Sequence, residues 1–170
     1  MSIRVLELFG GIGACTQAFK RLSIPIEVVD YVEIDKYAVK SYNAMNGTNF
    51  EPQDIGKWDK DLEVDLLIGG FPCQDISVAG QQKGIVKGET RSGLMYEMMR
   101  IIKKTQPQYV IAENVKNLLA KKFRPQLEEY LCFLSEQGYE VTMDVLNSKD
   151  YNVPQNRERV FILGVKTWKK

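Results

Sequence analysis

"IRVLELFGGIGA", residues 3–14, decides the fold. Ile3–Phe9 is rich in branched aliphatic residues and reads as a buried strand. Gly11 and Gly13 then let the chain turn tightly into an amphipathic helix running to about Leu22. A strand that turns on glycine into a helix is the opening unit of an open α/β sheet. The glycines also leave a helix N-terminus accessible to a ligand. The plain alternative is a helix start that simply needs glycine.

The same alternation continues along the chain. Ile26–Glu33 reads as a second strand, followed by the helical "DKYAVKSYNAM". Val64–Gly70 is a buried strand, "LMYEMMRIIKK" a helix and "QYVIAENV" a strand. Phe123, Leu127, Tyr130, Leu131 and Leu134 fall on one helical face. "YEVTMDVLN" and "RVFILGV" close the chain as strands with no helix between them, so antiparallel pairing is expected there. The pattern predicts an α/β fold with a mostly parallel sheet covered on both faces and one antiparallel strand near the C-terminus. No repeat or linker divides the chain, so residues 1–170 are expected to form a single domain. Gly80–Ser92, with Gly84, Gly88, Lys83, Lys87 and Arg91, reads as a mobile, mildly basic loop.

Composition narrows the chemistry. The net charge is +1, so any polyanion would have to meet a local basic face. Histidine is absent, which removes Ser-His and Cys-His nucleophile pairs and makes metal clusters an unpromising reading. The three cysteines are widely spaced, without the pairing of a disulfide framework or zinc knuckle. No apolar run reaches membrane-spanning length and no signal peptide is evident, so a reducing cytoplasm is expected.

Candidate site residues gather at predicted strand ends. Glu33 ends the second strand about twenty residues beyond the glycine turn, where a carboxylate binds ribose hydroxyls; Asp35 competes for that role. Thr16 stands where a dinucleotide fingerprint has its third glycine. That argues against a close-packed pyrophosphate and for a nucleoside cofactor lacking one. In "LIGGFPCQDISVAG" Cys73 follows Gly69, Gly70 and Pro72 at a strand end, where open sheets place ligands. A thiolate there is a candidate nucleophile. Cys15 and Cys132 sit in helical patterns and read as small buried hydrophobes. Glu113 and Asn114 end the neighbouring strand, and partial desolvation would suit Glu113 to donate a proton. The alternative is a helix cap at Asn114. Gln155, Arg157 and Arg159 alternate, as on one side of a strand, and could hold phosphate or a base edge. A charged edge strand would look the same.

Taken together and in order, these motifs resemble the cytosine-5 DNA methyltransferase family. "ELFGGIG" is similar to the family's first motif, with Glu7 where aspartate is commoner. The resemblance implies a class I S-adenosylmethionine-dependent methyltransferase fold. It implies that Phe9, Gly11 and Gly13 form the cofactor loop, with Glu33 on the ribose, Ile34 against the adenine and Asp54 beside Ile55 at the adenine edge. Pro72 and Leu94 join the cofactor set. "GGFPCQDIS" resembles the nucleophile motif, "ENV" the motif whose glutamate contacts cytosine, and "QNRER" the Gln-x-Arg-x-Arg motif. By resemblance Cys73, Glu113, Arg157 and Arg159 are catalytic, and Gln74, Ser77, Asn114 and Gln155 meet the substrate. The target cytosine would be flipped out of DNA, and the loop after Cys73 would close over it.

Family members continue with a target-recognition domain and two further motifs, the last packing back on the cofactor fold. The chain is therefore expected to be the catalytic part of a bacterial or phage-type enzyme, as in restriction-modification. Three explanations stay open: one subunit of a split enzyme, a fragment of a longer protein, or a free-standing domain with an altered role. The first would make a second subunit with the recognition domain and last motifs a partner, and an exposed apolar surface is expected where the last motif would pack. Two other readings stand beside it: a cofactor-binding or regulatory subunit inactive unless complemented, and a nicotinamide-dependent oxidoreductase. The missing third glycine and the Cys73–Glu113 pair argue against the oxidoreductase.

Overall fold

The computed structural model describes residues 2–73 and 91–167, the side chains of 91 and 92 excepted. In chain order come β1 (Ile3–Leu8), α1 (Ala14–Arg21), β2 (Ile26–Val32), α2 (Lys36–Asn46) and β3 (Leu66–Gly69). There follow α3 (Met95–Thr105), β4 (Tyr109–Val115), α4 (Arg124–Glu136), β5 (Tyr139–Asn147) and β6 (Glu158–Lys166). The strands form one sheet in the order β2-β1-β3-β4-β6-β5. β1 pairs parallel with β2 and β3, and β3 parallel with β4. β6 runs antiparallel to β5, as a short connection without a crossover helix requires, and also to β4.

Strand order reverses between β1 and β3. The chain steps outward from β1 to β2 on one side and from β3 to β4 on the other, so a crevice opens beyond their carboxyl ends. The residues that follow β1 and β3 are the glycine turn and the segment leading to Cys73.

Leu6, Leu8 and Leu67 lie on one face of the sheet in the large core with Met98, Ile101 and Tyr130 of α3 and α4. On the other, Val5, Leu66 and Ile68 meet Cys15 and Phe19 of α1. β2 carries a bulge: Val5 pairs with Val28 but Leu6 with Asp30, leaving Val29 extra. The extra residue shifts the phase of the second half of the strand. Asp30 is thereby set opposite Leu6, and Tyr31 opposite Glu7.

Two expectations need correction. Cys132 is exposed, not buried. The buried stripe of α4 is Leu127, Tyr130 and Leu134, and a residue two positions past Tyr130 points nearly the opposite way. Gln155 and Arg157 do not lie in a strand, because β6 begins at Glu158. Asn152 is left-handed (φ 62°), Pro154 has no N–H to give a ladder, and Gln155 N closes a tight turn on Val153 O at 2.7 Å. Only Arg159 is a strand residue.

Ile111 and Leu163 pair directly, as do Tyr109 and Val165, so these side chains share one face of β4 and β6. On it Tyr109 remains 42% and Leu163 39% exposed. No helix among the described residues is long and apolar enough to cross a membrane.

Candidate functional site

The turn after β1 is built from contacts made within the chain. Phe9, at positive φ (53°), donates its N–H to Val32 O at 2.8 Å, which ties the turn to β2. A Cβ on Gly10 would fall on the ring of Tyr31, so only glycine fits. Gly13 is left-handed (φ 89°) at the start of α1, and a Cβ there would lie 2.7 Å from the ring of Tyr42. Those rings stack with centroids 3.9 Å apart. Tyr31 Oη donates to Gly11 O, and Gly11 N donates to Glu33 Oε2 at 3.1 Å. Gly11 itself faces open space.

Thr16, the residue in place of a third glycine, is buried and donates from Oγ1 to Glu7 Oε2 at 2.7 Å; its hydroxyl also meets Tyr42 Oη at 3.0 Å. Glu7 Oε1 is buried with no partner among the described residues. Burial pushes the Glu7 carboxyl above its ordinary range, against the hydrogen bonds from Thr16 and Tyr42 that lower it.

Glu33 and Asp35 are engaged differently within the chain. Asp35 caps α2, its Oδ1 accepting from Tyr37 N at 2.8 Å and Ala38 N at 3.4 Å. Glu33 stands at the turn, its Oε1 accepting from Asp35 N at 2.9 Å. Ile34 between them is 69% exposed, an apolar platform beside the turn. Asp54 is exposed, with Oδ1 accepting from Gly56 N at 3.0 Å. With Gln53, Lys57, Trp58, Asp59 and Lys60 it lines a cavity of about 390 Å³. Ile55 points the other way, into the large core. Leu94, just before α3, also packs on that core.

At the ends of β3 and β4 a carboxyl meets two arginines. Glu113 Oε1 pairs with Arg159 Nε at 2.9 Å. The other oxygen lies 2.8 Å from where a Cβ on Gly70 would be, so the carboxyl rests against the end of β3. Burial pushes the Glu113 pKa up, opposed by Arg159 and Arg157, and the net direction is upward. Glu113, Arg157 and Arg159 line a cavity of about 340 Å³ with Tyr151, Val153 and Phe161. Gln155 is not among its lining residues.

Cys73 is half-buried three residues beyond Gly70, packed against the large core, and does not line that cavity. Pro72 beside it is also half-buried. Asn114 is neither exposed to a ligand nor a helix cap. It is buried, its Nδ2 donating to Phe71 O at 3.0 Å and its Oδ1 accepting from Val115 N at 2.8 Å. The short helical turn that follows, Lys116–Leu119, has no side-chain cap. Asn114 thus clamps the segment that leads to Cys73. Gln74, Ser77 and most of the Gly80–Ser92 loop lie outside the described residues.

Several contributors were not singled out from sequence. Gly70 reads from sequence only as part of the strand end before Cys73, which misses its role in seating the Glu113 carboxyl, although a second glycine after a strand marks a close approach. Tyr151 and Val153 had none, being ordinary loop residues. Tyr31, Tyr42 and Asp30 depend on the bulge and on contacts distant in sequence.

A family model described as C-5 cytosine-specific DNA methylase matches residues 3–170. The orphan methyltransferase M.Rho11sI of Bacillus phage rho11s is 43% identical over 168 residues, covering 96% of this chain and 33% of that protein. The type II methyltransferase M.NlaX of Neisseria lactamica is 37% identical over 163 residues, covering 95% and 51%. The crystal structure of the S. pombe Dnmt2 methyltransferase superposes with a TM-score of 0.76 at 24% identity, over 99% of this chain and 50% of that one, a likeness of fold. The chain spans about a third to a half of the length of these proteins.

Proposed function

Because the chain belongs to the C-5 cytosine-specific DNA methylase family, we propose that it is the catalytic and cofactor-binding part of a DNA cytosine-5 methyltransferase. The observation that carries the reading is the half-buried Glu113 carboxyl, ion-paired to Arg159 and resting against Gly70, three residues before Cys73.

The residues around the turn after β1 fit S-adenosylmethionine. Gly11 borders open space, Glu33 offers a carboxylate beside it, Ile34 an exposed apolar face, and Asp54 an acceptor at the rim of a cavity. Phe9, Gly11, Gly13, Glu33, Ile34 and Asp54 would hold it, with Pro72 and Leu94 nearby. When bound, it supplies the methyl group for carbon 5 of the target base.

The chain's own residues have separate tasks. A cytosine flipped out of DNA is presented to the Cys73 thiolate. Sulfur bonds to carbon 6 while the Glu113 carboxyl gives its proton to ring nitrogen 3, so carbon 5 becomes nucleophilic. After methyl transfer, the carbon 5 proton leaves to a base, the carbon–sulfur bond breaks and nitrogen 3 returns its proton to Glu113. Arg159 holds the carboxylate that Glu113 becomes, and Arg157 adds positive charge in the same cavity. The raised pKa of Glu113 supports its role as the acid. Base reading is assigned to a recognition part outside this domain, in a longer polypeptide or a second subunit. The exposed Tyr109–Leu163 face supports such a docking partner. The bacterial and phage relatives support a cytoplasmic setting.

The test combines cofactor titration with trapping on DNA containing 5-fluorocytosine, with and without a candidate recognition part. Cys73→Ala should abolish the covalent adduct and leave S-adenosylmethionine binding intact. Glu33→Ala should weaken that binding by about tenfold or more. Equal loss in both variants, or nicotinamide binding in place of S-adenosylmethionine, refutes the reading.

A further inference from the structure

We infer that Asp30 is a positioning residue for adenine selection: through the segment Gln53–Lys60 it fixes Asp54, and so lets the site choose a 6-amino over a 6-oxo purine. The inference rests on the cofactor reading given above.

Asp30 is a carboxylate only 3% exposed, paired in the sheet with Leu6 of the large core. Three donors from a single segment converge on it. Gln53 Nε2 reaches Oδ1 at 2.9 Å, Trp58 Nε1 reaches Oδ2 at 2.7 Å and Lys60 Nζ reaches Oδ2 at 2.8 Å. Gln53 is held further by its backbone N to Glu33 O and its side chain to Tyr31 O, both at 2.8 Å. Arg100 of α3 ties the same segment from behind, donating to Ile55 O at 2.9 Å. Asp54 sits between these anchors, one residue past Gln53 and four before Trp58.

A leucine at position 30 would bury more apolar surface without stranding a charge. A carboxylate with three fixed donors instead specifies one path for the segment. The β2 bulge is what points Asp30 there, by setting it opposite Leu6. With Asp54 Oδ1 on Gly56 N, the other oxygen has no partner among the described residues and can accept from a ligand. A carboxylate accepts a hydrogen bond from a 6-amino group and repels a 6-oxo group. That choice survives only while the carboxylate is held in place.

The test compares binding of S-adenosylhomocysteine and S-inosylhomocysteine to the full chain by calorimetry. The wild type should prefer the adenosyl compound by about tenfold or more, and Asp54→Ala should erase the preference. Asp30→Asn should reduce the ratio to within about threefold. Trp58→Phe and Lys60→Met, each removing one donor while leaving the carboxylate, should lower it by smaller steps. These two variants decide the matter if Asp30→Asn does not fold. A merely structural Asp30 would weaken both ligands equally and keep the ratio, which would overturn the inference. A wild type without preference, or one whose preference survives Asp54→Ala, would instead overturn the Asp54 assignment, and the inference with it.

Discussion

Replacing Asn114 tests whether the segment before Cys73 is held by one side chain. Asn114 is 2% exposed and satisfies two backbone groups, Phe71 O at 3.0 Å and Val115 N at 2.8 Å. Asn114→Ala removes both partners. A buried group left unpaired costs roughly 1–3 kcal/mol. Val115 is only half-buried, so water recovers part of its share. The expected loss is therefore about 2–4 kcal/mol. Asn114→Asp keeps the bond to Val115 but sets an anion against the Phe71 carbonyl. Burial raises the pKa of such a group. Its stability should thus be greatest at low pH, where the protonated acid can still donate to Phe71 O, and should fall as pH rises through the folded-state pKa. Urea unfolding followed by tryptophan fluorescence measures both variants. Thiol labelling in a Cys132→Ser background should show Cys73 reacting faster in Asn114→Ala than in the parent. A loss below about 0.5 kcal/mol with unchanged labelling would refute the clamp.

Gly13→Ala should cost clearly more than Gly47→Ala in the same unfolding assay. Both glycines are left-handed, but a Cβ at Gly13 meets Tyr42 at 2.7 Å while one at Gly47 meets nothing within 4 Å. About 1 kcal/mol is expected at Gly47 and about 2–4 kcal/mol at Gly13; equal losses would contradict the packing. Gly70→Ala places a methyl 2.8 Å from a Glu113 oxygen, so the carboxyl must yield by several tenths of an ångström. The chain should fold, but adduct formation on fluorocytosine DNA should slow by about 10- to 100-fold, and a wild-type rate would count against Glu113 as the acid. Glu7→Gln should stabilise the chain relative to wild type increasingly as pH rises. The Glu7 pKa is raised by burial, so wild-type stability is fully present below the unfolded-state pKa and is lost towards the folded one. A pH-independent difference would show that Glu7 ionises normally.

Much of this was legible because short-range rules governed it. β5 occupies the expected residues 139–147, and the strand ends carrying Glu33, Cys73 and Glu113 follow from apolar runs stopping at glycine or a carboxylate. The antiparallel pairing of β6 with β5 followed from the missing helix. What escaped depended on contacts distant in sequence. Alternation placed Gln155, Arg157 and Arg159 on one strand, but Pro154 and the left-handed Asn152 delay the ladder to Glu158. An Asn after a strand looks like a cap, and its burial over Phe71 depends on strand order. One extra residue at Val29 reverses which side chains of β2 face which layer, and no local pattern announces it.

The turn after β1 has a thermodynamic consequence. Its hydrogen bonds are made within the protein, from Phe9 N to Val32 O, Tyr31 Oη to Gly11 O and Gly11 N to Glu33, over a base of stacked rings. A ligand arriving there would find a shape already made, so little conformational entropy is lost on association. Its affinity should then respond weakly to denaturant below the unfolding transition, and most of the heat released should come from new contacts instead of the ordering of a loop.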